Sequence, residues 1–288
     1  MTGQHSCPFT LVLAGGGARG YAHVGVLRAL EHVGLEPAGL VGVSMGAIVA
    51  ATYALREDWY EALLSVDLSA SPDAKHGWPS PGHGPTGLRR AWNYAQTTWS
   101  LVTGWGAPDE VIEASRIALH GLLGSQRFED ARVPVKVCAT DLRSGSRVVL
   151  GGGPAAPAVY ASSALAGVFR PLEDGVRLLM DGVYADNAPV DVAQAMGAPV
   201  VLAVDPSQGA GAESITNGLQ AVMRAMEVCH LMHAHARLAT ADLVLRPAFG
   251  RPVEVLDFDA RRECVAAGVR AVRADLDSIL RVLDRAQP

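Results

Sequence analysis

The chain has 288 residues, of which 49% are hydrophobic and 18% are charged. This balance excludes disorder driven by low hydrophobicity and high charge, and the length suffices for one sizeable hydrophobic core. The formal net charge of -5 is unfavourable for binding nucleic acid or for adhering electrostatically to an anionic membrane. Four scattered cysteines without a CxxC pair predict reduced thiols in a cytoplasmic protein, and the first ten residues do not resemble a secretory signal.

The first 55 residues predict two strands that alternate with two helices. The apolar run at 9–13 predicts a strand, and residues 21–33 have the apolar spacing of a helix that Gly34 ends. Residues 40–43 and 45–55 predict the second strand and the second helix. This order is typical of a parallel sheet that is covered by helices on both faces.

Residues 38–55 form a run without formal charge, and the length of this run is close to that of a membrane span. Three glycines and a serine lie in this run, however, and they favour a turn. We therefore predict a buried strand, a sharp turn and a buried helix, and a membrane span is the alternative.

The rest of the chain predicts further strands and helices around one irregular segment. Helices are expected at 57–66, 88–120, 155–165, 190–196, 214–238 and 259–284, and strands at 133–139, 147–150, 176–180, 199–204 and 241–245. Four of the five tryptophans lie between residues 78 and 105, beside a Pro- and Gly-rich stretch at 71–87. This segment is either a surface loop with a helix of buried aromatics or a mobile apolar lid. We predict a single α/β domain over residues 1–288, with this insertion or lid at 70–108.

Residues 42–46 read Gly-Val-Ser-Met-Gly, a G-x-S-x-G pattern between a predicted strand and a predicted helix. A serine nucleophile has to project from a tight strand-to-helix turn, where side chains two residues away on either side would collide. Glycine at both places removes those side chains. The free N–H groups at the start of the helix also favour negative charge that develops during a reaction. The pattern predicts Ser44 as a nucleophile, and a packing turn with a capping serine is the structural alternative.

Residues 15–20 read Gly-Gly-Gly-Ala-Arg-Gly, again between a predicted strand and a predicted helix. They match the dinucleotide pattern G-x-G-x-x-G, but the acidic residue that this pattern needs near the end of the second strand is missing. Successive N–H groups beside a helix N-terminus are suited to hold an anion, and next to a serine nucleophile they would form an oxyanion hole. Arg19 is expected either to contact a phosphate or carboxylate of the substrate or to brace the loop.

Ser44 needs a base, because a free serine hydroxyl is a poor nucleophile. Asp181, Asp141 and Asp205 each follow a predicted strand, so position alone does not distinguish a base from a turn residue. A triad would place a histidine on a late loop, but the histidines after Asp181 all lie in one predicted helix: His230, His233 and His235. Because only the i, i+3 pair of these can face together, we predict an amphipathic or interface helix and no metal site.

Four blocks of the sequence are more informative together, in their order along the chain, than any one of them alone. They are GGGARG at 15–20, GVSMG at 42–46, ASSALAGVFRP at 161–171 and DGVYADNAPV at 181–190. Together they resemble the patatin-like phospholipases, a family of lipid acyl hydrolases, and the resemblance extends over residues 9–205.

This resemblance implies a mostly parallel central sheet with helices on both faces, in a three-layer sandwich. It implies a dyad without histidine, in which Ser44 is the nucleophile and Asp181 is the base. Gly15, Gly16 and Gly17 would supply the N–H groups of the oxyanion hole, and no cofactor would be needed. The implied reaction is acyl transfer to water in two steps, by a phospholipase A, a lysophospholipase or a lipid esterase.

Other functions stay open at this point. One is an acyltransferase that uses the same acyl-enzyme with an alcohol or thiol acceptor, and another is a non-catalytic lipid-binding or regulatory protein on this scaffold. A nicotinamide-binding protein is the least favoured. The expected partners are a lipid or acyl-ester substrate and a transient membrane surface, but not nucleic acid. The helix at 214–238 is compatible with a homo-oligomer.

Overall fold

The structure is a computed structural model that describes residues 7–66, 68, 109–208, 215 and 218–286. The strands in this part of the chain are β1 Phe9–Leu13, β2 Gly39–Val43, β3 Val135–Asp141, β4 Ser146–Leu150, β5 Leu172–Asp174, β6 Arg177–Asp181, β7 Val200–Val204 and β8 Leu243–Leu245. The α-helices are α1 Tyr21–His32, α2 Met45–Leu55, α3 Trp59–Ser65, α4 Asp109–Leu123, α5 Ala155–Ser163, α6 Val190–Gln194, α7 Gly218–Leu238 and α8 Arg261–Arg285.

The strands form one sheet in which hydrogen-bonded partners follow the path β5-β6-β3-β2-β1-β7-β8. β6 and β2 pair with successive parts of one edge of β3, and β4 pairs with the other edge. The neighbours from β3 to β8 in this order are parallel, whereas β4, β5 and β6 pair antiparallel. The prediction of a mostly parallel α/β sheet is therefore confirmed. The carboxyl ends of the parallel strands share one edge, which is where such sheets place their ligand sites.

Apolar layers cover both faces of the sheet. Because side chains alternate along a strand, Leu11 and Leu13 of β1 point to one face and Val12 to the other. The first face packs against α1, α2, α3, α4, α5 and α8 in the larger hydrophobic cluster. The second face packs against α6 and against Leu238 at the end of α7. Helices on both faces give the predicted three-layer arrangement.

Helices α1 and α8 cross at two glycines with direct backbone contact. A Cβ on Gly25 would lie 1.9 Å from the carbonyl oxygen of Val265, and a Cβ on Gly268 would lie 1.9 Å from that of Ala22. Any side chain at either position would force the helices apart. The crossing matters for the functional site because α1 begins directly after the 3-10 turn Gly17–Gly20 of the glycine-rich loop.

The predicted elements within the described residues are present, with shifted ends. Residues 38–55 form β2, a turn and α2, so the alternative of a membrane span is wrong. In the described part of the chain no helix has both the length and the apolar composition to cross a membrane. The four cysteines are unpaired with one another, and only Cys229 among them is exposed.

Two differences from the predicted elements concern the region around Asp181. β5 was not predicted, because three residues with one apolar side chain give no readable alternation. The second difference is that β6 covers Arg177–Asp181 and pairs with β3 up to Asp181, so that Asp181 is its last residue. The predicted loop at 71–87, the tryptophans between 78 and 105 and the insertion or lid at 70–108 lie outside the described residues. The single domain stays a prediction.

Candidate active site

Two strands that run in opposite directions meet at one edge of β3. On the edge shared by β2 and β6, Cys138 is the partner of Val43, the last residue of β2, and the next residue, Ala139, is the partner of Asp181. The other edge of β3 pairs with β4 over Val137–Asp141. Because β2 is parallel and β6 antiparallel to β3, their carboxyl ends meet head to head. Ser44 follows Val43 directly and is therefore placed beside Asp181.

Ser44 occupies a strained turn between β2 and α2. Its backbone has φ 54° and ψ -124°, and it is the one non-glycine residue with positive φ in the described part of the chain. Such a conformation costs about 1–3 kcal/mol and is concentrated at functional sites. A Cβ on Gly42 would lie 2.5 Å from the Gly46 carbonyl oxygen, and one on Gly46 would lie 2.1 Å from that of Leu13. The two glycines of the G-x-S-x-G pattern are thus needed for close backbone contact.

The turn at Ser44 is supported by a residue that the sequence did not single out. The Ser44 N–H donates to the hydroxyl oxygen of Ser162 at 3.2 Å and to its carbonyl oxygen at 3.1 Å. The Ser162 hydroxyl donates in turn to the carbonyl oxygen of Cys138 at 2.6 Å. Ser162 therefore joins the turn to β3. It lies in the block at 161–171, but nothing in that block distinguishes it from its neighbour Ser163.

The side chains of Ser44 and Asp181, 137 positions apart, are in hydrogen-bond contact. The Ser44 hydroxyl donates to Oδ2 of Asp181 at 2.8 Å, and the Val183 N–H donates to Oδ1 at 3.0 Å. Asp181 is only 1% exposed. Burial raises the pKa of its carboxyl to about 7, although the two hydrogen bonds act in the opposite direction. The site therefore holds a serine hydroxyl against a carboxyl group whose pKa is close to neutral pH.

The glycine-rich loop at 15–17 passes beside Ser44. A Cβ on Gly15 would lie 3.4 Å from the Cβ of Ser44. The Gly15 N–H donates to Oδ1 of Asn187 at 2.8 Å, whereas no described residue accepts a hydrogen bond from the Gly16 or the Gly17 N–H. Gly17 has φ 55°, and a Cβ there would lie 2.2 Å from the Val255 carbonyl oxygen. Only glycine fits this position.

Arg19 is half-buried beneath this loop. Its Nε donates to the Gly16 carbonyl oxygen at 3.4 Å, within the loop itself. Burial lowers the pKa of the guanidinium, and the nearby charges of Glu227 and Asp205 oppose that effect. The contact with Gly16 is of the kind expected for bracing the loop, and contact with a substrate stays a prediction.

The other two aspartates that follow strands have turn contacts. Oδ1 of Asp141 accepts from the N–H groups of Arg143 and Leu178, and Oδ2 accepts from the Ser144 hydroxyl. The hydrogen bond from Leu178, followed by that from Ser144, lowers the pKa of Asp141 to about 2. Asp205 accepts from the Ser207 N–H at 3.0 Å and lies 3.6 Å from the Arg246 guanidinium.

The segment after Asp181 is held by ion pairs that include one buried carboxylate. Asp186 is fully buried and forms ion pairs with Arg147 and Arg237. Asp191 contacts the same two guanidinium groups, at 2.7 Å and 3.9 Å. These pairs join β4, the turn after β6 and the end of α7. The sequence did not reveal this cluster, because its members lie far apart in the chain and look like ordinary surface charges.

One histidine of α7 contacts the turn that follows Asp181. The ring of His230 packs edge-on against the ring of Tyr184, with 5.2 Å between their centres. Burial lowers the pKa of His230. Helix α7 thus contacts the turn that follows Asp181 through this aromatic pair.

The fold and the site together consist of a mostly parallel α/β sheet and a strained serine whose hydroxyl contacts a buried carboxylate. The model of one family, described as patatin-like phospholipase, matches residues 11–194, a span that contains all four sequence blocks. The chain belongs to the patatin-like phospholipase family.

Two relatives illustrate how far the similarity extends. The chain is 34% identical over 209 residues to patatin-like phospholipase domain-containing protein 6 of Homo sapiens, which covers 68% of this chain and 13% of that protein. It is 31% identical over 207 residues to an NTE family protein of Mycobacterium tuberculosis, which covers 70% of this chain and 50% of the relative. The match therefore spans at most half of the length of these two relatives.

Solved structures share the fold at low sequence identity. VipD from Legionella pneumophila is 16% identical, with a TM-score of 0.53 over 95% of this chain and 67% of that one. Human GIVD cytosolic phospholipase A2 is 12% identical, with a TM-score of 0.50 over 97% of this chain and 60% of that one.

Proposed function

We propose that the protein hydrolyses acyl esters of lipids, with Ser44 as the nucleophile and Asp181 as its general base. The observation that carries the proposal is the 2.8 Å hydrogen bond from the Ser44 hydroxyl, on a strained turn, to a buried carboxylate. Membership of the patatin-like phospholipase family supports a lipid ester as the substrate. A phospholipase A, lysophospholipase or lipid esterase activity fits these features best.

The first step of the reaction forms an acyl-enzyme. The ionised Asp181 accepts the proton of Ser44 while Oγ attacks the ester carbonyl carbon, and the Val183 N–H keeps the carboxylate in place. A pKa near 7 makes this carboxylate a stronger base than an exposed aspartate while leaving it largely ionised above neutral pH. The protonated Asp181 then donates to the oxygen of the leaving alcohol.

The second step releases the fatty acid. Water enters the site of the departed alcohol and attacks the acyl carbon while Asp181 accepts its proton. Asp181 then returns the proton to Ser44 Oγ as the bond between Oγ and the acyl carbon breaks, which restores the hydroxyl. In both steps negative charge develops on the former carbonyl oxygen. We assign Gly16 and Gly17 as the main N–H donors to that oxygen, because the Gly15 N–H already donates to Asn187.

Exposed apolar side chains on α7 support a transient contact with a lipid surface. These side chains are Val222, Met226, Val228 and Met232. An enzyme that takes lipid molecules from an aggregate has to meet its surface, and α7 adjoins the turn after Asp181. Weaker sedimentation of Met232→Glu than of the wild type with phosphatidylcholine vesicles would support this contact, and equal sedimentation would contradict it.

The nucleophile is tested with a fluorophosphonate probe and a p-nitrophenyl acyl ester. We expect the probe to label Ser44 in peptide mass spectra, and Ser44→Ala to lower ester turnover by at least about 10³-fold. The matched control is Ser65→Ala, because the exposed Ser65 hydroxyl bonds only within its own helix and its loss should leave turnover unchanged. Equal turnover by Ser44→Ala and the wild type would contradict the assignment.

The substrate class is tested with a panel of lipids in mixed micelles. Phosphatidylcholine and lysophosphatidylcholine of defined acyl chains are compared by the free fatty acid that they release. Release from these lipids that depends on Ser44 supports hydrolysis. An acyl-enzyme that accumulates and turns over only when an alcohol or thiol is added would instead identify an acyltransferase.

A further inference from the structure

The peptide unit between Ala14 and Gly15 is held at both of its polar groups by side chains. Its carbonyl oxygen, on Ala14, lies 2.8 Å from Nε2 of His23. Its N–H group, on Gly15, donates to Oδ1 of Asn187 at 2.8 Å. The N–H and carbonyl groups of a trans peptide point in opposite directions, so His23 and Asn187 form hydrogen bonds with the same peptide plane from opposite sides. Rotation of this plane would break both hydrogen bonds.

His23 is the donor in its contact with Ala14. A carbonyl oxygen can only accept, so Nε2 carries a proton, and in the neutral ring Nδ1 carries none. The ring is fully buried, and Nδ1 has no hydrogen-bond partner among the described residues. Burial lowers the pKa of His23 to about 4. The donor at Ala14 is therefore present throughout the pH range in which Asp181 would work as a base.

Asn187 connects the glycine-rich loop to the segment that carries the carboxylate. It lies six positions after Asp181, next to Asp186, whose side chain is anchored by Arg147 and Arg237. A Cβ on Gly15 would lie 2.5 Å from Asn187 Oδ1, so glycine is needed for this contact. The Gly15 N–H also lies 3.4 Å from the Asn187 carbonyl oxygen, so the shorter bond to the side-chain amide and this longer one both join the loop to the anchored segment.

We propose, on the basis of the proposed function, that His23 and Asn187 are positioning residues that clamp the Ala14–Gly15 peptide. The orientation of this peptide determines where the chain continues, and the next two N–H groups are those of Gly16 and Gly17. Clamping it directs these groups toward the oxyanion that forms on the ester bound to Ser44. The clamp stabilises the transition state and contributes little to binding of the substrate in its ground state.

The test compares substitutions that remove one hydrogen bond with a substitution that keeps it. Asn187→Leu keeps the approximate shape but removes the side-chain acceptor, leaving only the longer contact with the backbone carbonyl oxygen of residue 187. His23→Met removes the donor. We expect each to lower kcat about 10–100-fold with little change in KM, since one lost oxyanion donor costs about 10²–10³-fold. His23→Gln, whose amide can donate to Ala14, should recover most of the activity.

Two further measurements separate positioning from a general structural role. A trifluoromethyl ketone that adds to Ser44 forms a tetrahedral oxyanion, so its affinity should fall in step with kcat, while a non-hydrolysable ether lipid should bind unchanged. The double variant His23→Met/Asn187→Leu should be about as slow as the slower single variant, because both side chains act on one peptide. The pH at which activity is half-maximal should stay at its wild-type value, since Asp181 keeps its own contacts.

The outcomes distinguish failure of the clamp from failure of the proposed function. The clamp is overturned if Asn187→Leu keeps the wild-type kcat and ketone affinity. The hydrolase assignment still stands in that case, provided that Ser44→Ala is inactive. Costs that multiply in the double variant would also overturn the clamp. Should His23→Met not fold, as judged by circular dichroism, Asn187→Leu and its ketone affinity decide alone. Turnover that is independent of Ser44 would overturn the proposed function itself.

Discussion

Asp141 and Asp181 are the last residues of two neighbouring strands, yet their surroundings differ completely. Asp141 accepts hydrogen bonds from two N–H groups and a hydroxyl, and these bonds lower its pKa to about 2. Asp181 accepts one from an N–H group and one from Ser44, and burial raises its pKa to about 7. Three donors stabilise the Asp141 carboxylate as an anion, so it serves to hold its turn and is a poor proton acceptor. A buried carboxylate with few donors is available to take a proton.

The comparison predicts opposite effects of one chemical change on activity. Asp181→Asn should lower ester turnover by about 10³–10⁴-fold, because the base is removed while the shape is kept. Asp141→Asn should change turnover by less than about threefold, because its carboxylate contacts only its own turn and the start of β6. Initial rates with a p-nitrophenyl ester measure both. A comparable loss in the two variants would mean that the strand-end aspartates are not functionally distinct.

The pH dependence of turnover sharpens the same comparison. Only the ionised form of Asp181 can accept the Ser44 proton, so kcat/KM should rise with pH and be half-maximal near pH 7. At pH 5 the rate should be about 100-fold below its plateau, since each pH unit below the pKa costs tenfold. A profile of kcat/KM that is flat between pH 5 and 8 would contradict the raised pKa of Asp181.

Stability should respond to the two substitutions with opposite signs. The pKa of Asp181 is higher in the folded chain than in the unfolded chain, so ionisation of Asp181 costs stability as the pH rises from about 4 to about 7. Asp181→Asn should therefore increase the free energy of unfolding at pH 8 by an amount on the order of a few kcal/mol, and the gain should vanish near pH 3.5.

Asp141 has the reverse linkage. Its pKa is lower in the folded chain, so its ionised form adds stability above about pH 4, and this stability is lost as the pH falls toward about 2. Asp141→Asn should lower the free energy of unfolding at pH 8. Urea titrations at pH 8 and pH 3.5 measure both variants. The same sign for both at pH 8 would refute the electrostatic distinction between them.

Glycines illustrate what local sequence made visible. The pattern at 42–46 predicted a tight turn with Ser44 at its apex, and the positive φ of Ser44 and the contacts of Gly42 and Gly46 confirm that turn. Gly42, Ser44 and Gly46 are close together in the sequence, so steric contacts among neighbouring residues determine the shape of this turn. Gly25 and Gly268 gave no such signal, because their contact joins helices from opposite ends of the chain.

The sequence by itself determined the order of the helices and of every described strand except β5, as well as the serine turn and the resemblance to a family. These properties follow from local periodicity, from the conformational freedom of glycine and from short motifs. Position after a strand left three aspartates open and the resemblance pointed to Asp181, but only the tertiary structure showed the contact, because Asp181 reaches Ser44 through the shared edge of β3. It also decided that His23 and Asn187 hold one peptide, since hydrogen bonds between distant residues depend on how strands and helices are brought together.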